Sequence, residues 1–205
     1  MTNGETSRPI LASASRTRRA MLARAGVVVD VHPADLDEAS MIASLTAPPE
    51  PVAPDDIAQV LARAKAQSVA EASPGRIVIG CDQVLSLGDE VFSKPDSMDT
   101  ARRNLLRLSA RTHQLHSAAA IVRDGETLWS DVQTARLTMR PLSPAFIGHY
   151  LASAGPSVLT SVGAYQIEGL GAQLFEQVEG DLFTVLGMPL LPLLGELRKL
   201  GLLES

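Results

Sequence analysis

The stretch HSAAAIVRDGETLWSDVQTARLTMRPL, residues 116–142, restricts the fold of this chain more than any other. Two runs of apolar and β-branched residues are broken only by Asp124-Gly125. An Asp-Gly break between such runs marks a tight hairpin, because both central positions of that turn use left-handed backbone. A second, shorter hairpin is expected in QVLSLGDEVFSKP, turning at Gly88-Asp89. The N-terminal half reads differently, as strands alternating with helices. PILASAS (9–15) is a short buried strand leading into a turn, and SRTRRAMLARAG (15–26) is a helix with Ser15 as N-cap and Gly26 as stop. VVVDV (27–31) is expected as the next strand, Asp55 to Ala72 as a helix with Ile57, Val60, Leu61 and Ala64 at helical spacing, and RIVIGC (76–81) as a buried strand ending at Asp82. Between them, DLDE and Pro48, Pro49, Pro51 and Pro54 point to a loop without regular structure. Residues 97–109, 143–153 and the C-terminal PLLPLLGELRKLG read as further helices. Crossover helices together with hairpins specify an α/β chain with a mixed sheet.

Length and composition fit one domain over residues 1–205, and 45 % hydrophobic with 20 % charged residues is ordinary globular usage. A net charge of -5 argues against binding nucleic-acid polymers, which needs a broad basic face, and 3 % aromatics leaves few stacking platforms. Cys81 is the single cysteine, so no internal disulfide forms, in keeping with a reducing compartment. No apolar run approaches a bilayer span, and MTNGETSRP lacks the apolar segment of a signal peptide. A soluble, cytoplasmic protein without a membrane partner is the expectation.

Three islands carry chemistry. In SASRTRR, Arg16, Arg18 and Arg19 crowd a helix N-terminus that already presents partial positive charge. Free N–H groups, the Ser13 and Ser15 hydroxyls and Arg18 can hold a phosphate chain there; a solvated basic turn is the other reading. Arg18 lies one turn before Leu22, on the protein side, whereas Arg16 and Arg19 face water. In GCDQVLSLGDEVFSKP, Asp82 and Lys94 form either a plain salt bridge or the two halves of a phosphate-and-metal site, since Mg²⁺ is commonly shared between carboxylates and substrate phosphates. The third island, 161–190, is punctuated by Gly163, Gly169, Gly171, Gly180 and Gly187, with Glu168 among them; its spacing is neither a P-loop nor a dinucleotide fingerprint. His113 and His116 are three apart in a strand and therefore point to opposite faces, which is no zinc pair. No nucleophile elbow is present.

Taken in order, these stretches resemble the Maf family of nucleotide pyrophosphatases. LASASRTRRAML is similar to that family's opening motif, DLDE to its acidic motif, LARAKAQSVA to its lysine-bearing helix, GCDQVLSLGDEVFSKP to its central block and GAYQIEGLGAQLFEQVEG with VLGMPL to its closing block. The resemblance implies an elongated mixed sheet flanked by helices, with two lobes around a nucleotide cleft, of Maf/inosine triphosphatase-like type. It implies hydrolysis of a nucleoside triphosphate between the α and β phosphates, a divalent cation (Mg²⁺ or Mn²⁺), and often a homodimer. Carried over by motif, Asp82 becomes the general base or metal-organising carboxylate, Ser13, Arg18, Lys65 and Lys94 become phosphate contacts, and Glu38 a second acidic group near the metal.

Many members have Asp-Thr after the central strand, two consecutive arginines in the first motif and a glutamine before the last block's glycine. Here Gln83, Thr17 and Glu168 stand at those places. Gln83 and Glu168 resemble the branch that prefers 7-methyl-GTP, and Glu168 can accept from a guanine N1–H and N2–H₂. Thr17 matches neither branch, which points to an altered base pocket. A nucleotide-binding regulator of septum formation without turnover is the alternative in another class, and a purely structural interaction protein is the third.

Overall fold

The structure, a computed structural model, describes residues 8–204, so the polar N-terminal stretch 1–7 lies outside the described residues. A seven-stranded mixed sheet runs in the order β2-β1-β3-β5-β6-β7, with β4 paired to the far end of β3 on the edge it shares with β1. Its members are β1 (Ile10–Ala12), β2 (Asp30–Val31), β3 (Val78–Leu87), β4 (Glu90–Phe92), β5 (Thr112–Arg123), β6 (Glu126–Met139) and β7 (Phe175–Glu179). The two β1 ladders are parallel and the others antiparallel. The β5–β6 hairpin turns where the sequence places it, with Asp124 at φ 51° and Gly125 at φ 80°. Two positive φ values in succession match the right-handed twist of the strands they join.

Three expectations are corrected. VVVDV forms a strand only at Asp30–Val31, where it pairs with β1; Val28 is exposed. The proline-rich stretch is not free of regular structure: α2 (Glu38–Leu45) begins directly after DLD, and Pro54 opens α3 (Pro54–Glu71). A proline costs nothing at a helix's first position, where its missing N–H would be unpaired in any case. Finally, the apolar strand does not end at Asp82 but continues to Leu87. The neighbour ends instead. β1 pairs with Val78–Gly80 and β4 with Leu85–Leu87 on the same edge, so among the described residues Cys81 to Val84 has β5 on one side and no strand on the other.

Helices cover both faces. On one, α3 lays Ile57, Ala58, Leu61, Ala62, Ala66 and Val69 onto even-numbered strand residues such as Val84, Ala118 and Ala120. On the other, α1 (Arg16–Arg24) and α7 (Leu190–Lys199) pack with Ile79, Cys81 and Ile121, while α4 (Met98–Leu108) and α5 (Pro144–Ala154) pack with Leu85, Leu115 and Leu137. Between these two apolar clusters runs a polar band formed by Gln83, Ser117 and Thr184 of the short helix α6 (Leu182–Val185). The face is thus divided into two lobes at the level of the strand gap. Among the described residues, no helix is long and apolar enough to cross a membrane.

Candidate active site

Everything that positions the site follows from the gap in the edge of β3. A carbonyl on an unpaired strand edge needs a donor, and Arg18 provides it: Nη1 donates to Cys81 O at 2.8 Å. The same guanidinium donates through Nε to Gly187 O (2.8 Å) and through Nη1 to Ser13 Oγ (3.2 Å). Gly187 adopts φ 103°, a backbone state that L side chains rarely take, and this turns its carbonyl towards Arg18. Three of the five guanidinium N–H groups are thereby fixed, leaving the Nη2 pair without a hydrogen-bond partner among the described residues. Ser13 Oγ accepts from Arg18 and from Ser15 N, so its own hydrogen remains free to donate. Ser15 caps α1 by accepting from Arg18 N. Ser13, Arg18 and this helix start form a donor-rich corner suited to an anion. Arg16 and Arg19 are exposed, as the helical spacing indicates, and Thr17 sits half-buried in the same first turn.

Across the strand edge, on the α3 face, lies an acidic cluster around one cation. Lys65 falls inside the apolar stripe of α3 and is only 7 % exposed. Its Nζ stands 2.6 Å from Asp82 Oδ1 and 2.9 Å from Glu38 Oε2. A buried ammonium requires such partners, and a buried carboxylate such as Asp82 requires the ammonium in return. Glu38 is the first residue of α2, placed there by the Asp37 cap, whose carboxylate accepts from Ser40 N. That hydrogen bond, with a second from the Ser40 hydroxyl, holds the Asp37 carboxyl below its usual range. The Asp82–Lys94 salt bridge considered from the sequence is not formed: Asp82 pairs with Lys65. Lys94 is exposed on the chain leaving β4, in a hollow of about 290 Å³ with Ser93, Asp96, Asn104 and Arg107. Residue chemistry alone could not find the true partner, which is 17 positions away on another element.

Cys81 lies between the two halves of the site. Burial pushes its thiol up to about 11, partly offset by the charges of Arg18 and Lys65, so it remains a small protonated filler. Gln83, beside Asp82 but on the opposite face, directs Nε2 to Ser117 Oγ (3.0 Å), Thr184 O (3.1 Å) and Val185 O (3.0 Å). It ties β3 to the closing block of the sequence, a bracing role the sequence reading missed. Glu168 is exposed in the segment before β7 and makes no hydrogen bond or ion pair with any described residue. The structure therefore brings together Ser13 with Arg18, and Glu38 with Lys65 and Asp82, around one strand gap; it does not bring Glu168 into contact with Gln83.

Among the described residues no group of three or more His, Cys, Asp or Glu side chains forms a metal cage. Two carboxylates sharing one ammonium nevertheless fit a hard divalent cation that takes its remaining ligands from substrate phosphates and water. Asp82 Oδ2 has no protein partner among the described residues, which leaves an oxygen for that purpose.

The family described as Maf-like protein matches residues 8–200. A Mesorhizobium japonicum protein named 7-methyl-GTP pyrophosphatase is 58 % identical over 200 residues, spanning 98 % of this chain and 100 % of its own. A Brucella abortus protein of the same name is 52 % identical over 194 residues, covering 95 % and 96 %. A Rhodopseudomonas palustris protein named nucleoside triphosphate pyrophosphatase is 51 % identical over 194 residues, covering 95 % and 94 %. With a family match over nearly its whole length and relatives more than half identical from end to end, the chain belongs to the Maf family.

Proposed function

We propose that this protein is a nucleoside triphosphate pyrophosphatase that cleaves between the α and β phosphates, releasing a nucleoside monophosphate and pyrophosphate, with 7-methyl-GTP as its preferred substrate. The observation that carries the reading is the Glu38–Lys65–Asp82 cluster set against the Ser13–Arg18 corner across one strand gap. The names of the relatives support the reaction and the base.

In this reading Arg18 Nη2, the Ser13 hydroxyl and the α1 N-terminus bind phosphate oxygens, and Lys94 adds a mobile point charge to the same chain. Asp82 is the general base for the attacking water, its carboxylate held in orientation by Lys65 at Oδ1. Glu38 and Asp82 would hold Mg²⁺ or Mn²⁺, which supplies Lewis-acid neutralisation of phosphate charge. Gln83 and Glu168 belong to the base side of the cleft, with Thr17 at its margin.

The test is pyrophosphate release by the full chain with Mg²⁺ or Mn²⁺ over 7-methyl-GTP, GTP and the other common and deoxy nucleotides. We expect 7-methyl-GTP to be turned over best, and Asp82→Asn to lose about 100-fold or more in rate while still binding nucleotide. Nucleotide binding without any pyrophosphate release would overturn the enzymatic reading in favour of a nucleotide-binding regulator.

A further inference from the structure

We propose that His113 and Tyr165 are positioning residues for base discrimination: their hydrogen bond fixes segment 163–171, and with it Glu168, against the sheet face that carries Gln83. This rests on the pyrophosphatase reading above, and it assigns a role to a buried pair outside the phosphate-binding and acidic clusters.

Strand alternation places the pair. In β5, His113, Leu115 and Ser117 point to one face, and Ser117 Oγ is the acceptor for Gln83 Nε2. His113 is therefore on the Gln83 side, four residues from Ser117, or about 13 Å along the strand. His113 is fully buried, with Nε2 2.7 Å from the Tyr165 hydroxyl, and Nδ1 has no partner among the described residues. A buried polar atom without a partner is rare and costly. A histidine used only as apolar filler would bring that cost with no return; here the other ring nitrogen makes a polar link between the sheet and Tyr165.

The segment is otherwise built to place Tyr165 in one position. Tyr165 stacks edge-on against Phe175, centroids 4.8 Å apart at 78°. A Cβ on Gly163 would lie 2.1 Å from the Tyr165 ring, so only glycine admits the ring there. Ala164 takes φ 57°, and its carbonyl accepts from the Tyr150 hydroxyl at 3.1 Å. At the far end a Cβ on Gly171 would stand 2.4 Å from Gln166 O, which closes the segment tightly on itself. Between these fixed points Gln166, Glu168 and Gly169 face solvent. Glu168, three residues from the anchored ring, is exposed and makes no hydrogen bond or ion pair with a described residue, so its position is inherited from Tyr165.

The experiment compares wild type, Tyr165→Phe, His113→Gln and Glu168→Gln for kcat and KM on 7-methyl-GTP and GTP, alongside hydrogen exchange of residues 163–171. Tyr165→Phe keeps the aromatic stack and so tests the hydrogen bond in a folded protein even if His113→Gln is poorly stable. We expect Tyr165→Phe to cut the 7-methyl-GTP to GTP ratio of kcat/KM by about five- to tenfold through KM, with kcat within about twofold, and to speed exchange in 163–171. Equal losses on both nucleotides, or a lower melting temperature with an unchanged ratio, would overturn the positioning role. A ratio changed by Glu168→Gln but not by Tyr165→Phe would overturn it while leaving the pyrophosphatase reading intact. If wild type releases no pyrophosphate, that reading fails by itself, and unchanged exchange in Tyr165→Phe would then overturn the tether.

Discussion

Lys65 concentrates the chemistry of the site at a single residue. An ammonium buried in the apolar stripe of α3 is tolerated only because Asp82 and Glu38 both face it. The arrangement also means that two carboxylates are kept at one point by a cation the protein supplies itself. Lys65→Met would leave those carboxylates facing each other, and we expect a loss of about 3 kcal/mol, moderated because Glu38 is partly exposed and can swing into water. The two freed carboxylates become better oxygen ligands for a divalent ion. Millimolar Mn²⁺ should therefore raise the melting temperature of Lys65→Met by more than it raises that of the wild type. The same thermal shift for both proteins would show that Glu38 and Asp82 do not converge on a cation. At this scale the sequence was partly legible. Asp82, Lys65 and Glu38 could be singled out by motif, but which cation Asp82 meets depends on how α3 lies on β3, and no spacing along the chain encodes that.

At the scale of elements, the close approach of α3 to β3 sets where Lys65 sits. Gly80 makes it possible: a Cβ there would be 2.1 Å from Ala62 O, 2.7 Å from Ala66 N and 2.9 Å from Ala66 Cβ. These are largely backbone atoms of a helix that cannot move aside locally, and they flank Lys65. Gly80→Ala should cost about 3 kcal/mol or more, measured by urea denaturation. Turnover should fall further than the folded fraction explains, because lifting α3 draws Lys65 away from Asp82. A variant of normal stability and normal rate would show that the helix has slack at this crossing. The β5–β6 hairpin and the α4, α5 and α7 helices were readable because turn chemistry and apolar periodicity are local signals. The strand gap was not. Asp82 follows an apolar run, which reads as a strand end, yet the strand continues and its partners change. Likewise α2 was hidden by prolines that lie after it rather than within it, and Gln83's bracing of α6 joins positions a hundred residues apart.

The whole molecule has a built-in sensitivity to acid in its buried histidines. Burial lowers His113 from 6.5 to about 4, and His116 is lowered by burial too, although Asp55 opposes the shift. His116 has both ring nitrogens on neutral hydroxyls, Ser86 through Nε2 and Thr134 through Nδ1, an environment that suits the uncharged ring. Below pH 6.5 the unfolded chain takes up protons at these positions while the folded chain does not, so folding stability falls with pH. The His113 contribution is fully present above 6.5 and lost progressively down to about 4, roughly 3 kcal/mol in all. The lowered carboxyls of Asp37 and Asp96 act only below 3.8, at the acid end of this range. Urea midpoints should therefore decline from near pH 6.5 downwards. The double variant His113→Leu with Tyr165→Phe removes both partners of the buried hydrogen bond, a change that leaves no orphaned group. Its stability should fall less steeply between pH 6.5 and about 4, by up to one proton's worth of slope, about 1.4 kcal/mol per pH unit. An undiminished slope in that variant would place the acid sensitivity in His116 or elsewhere rather than in the His113 pocket.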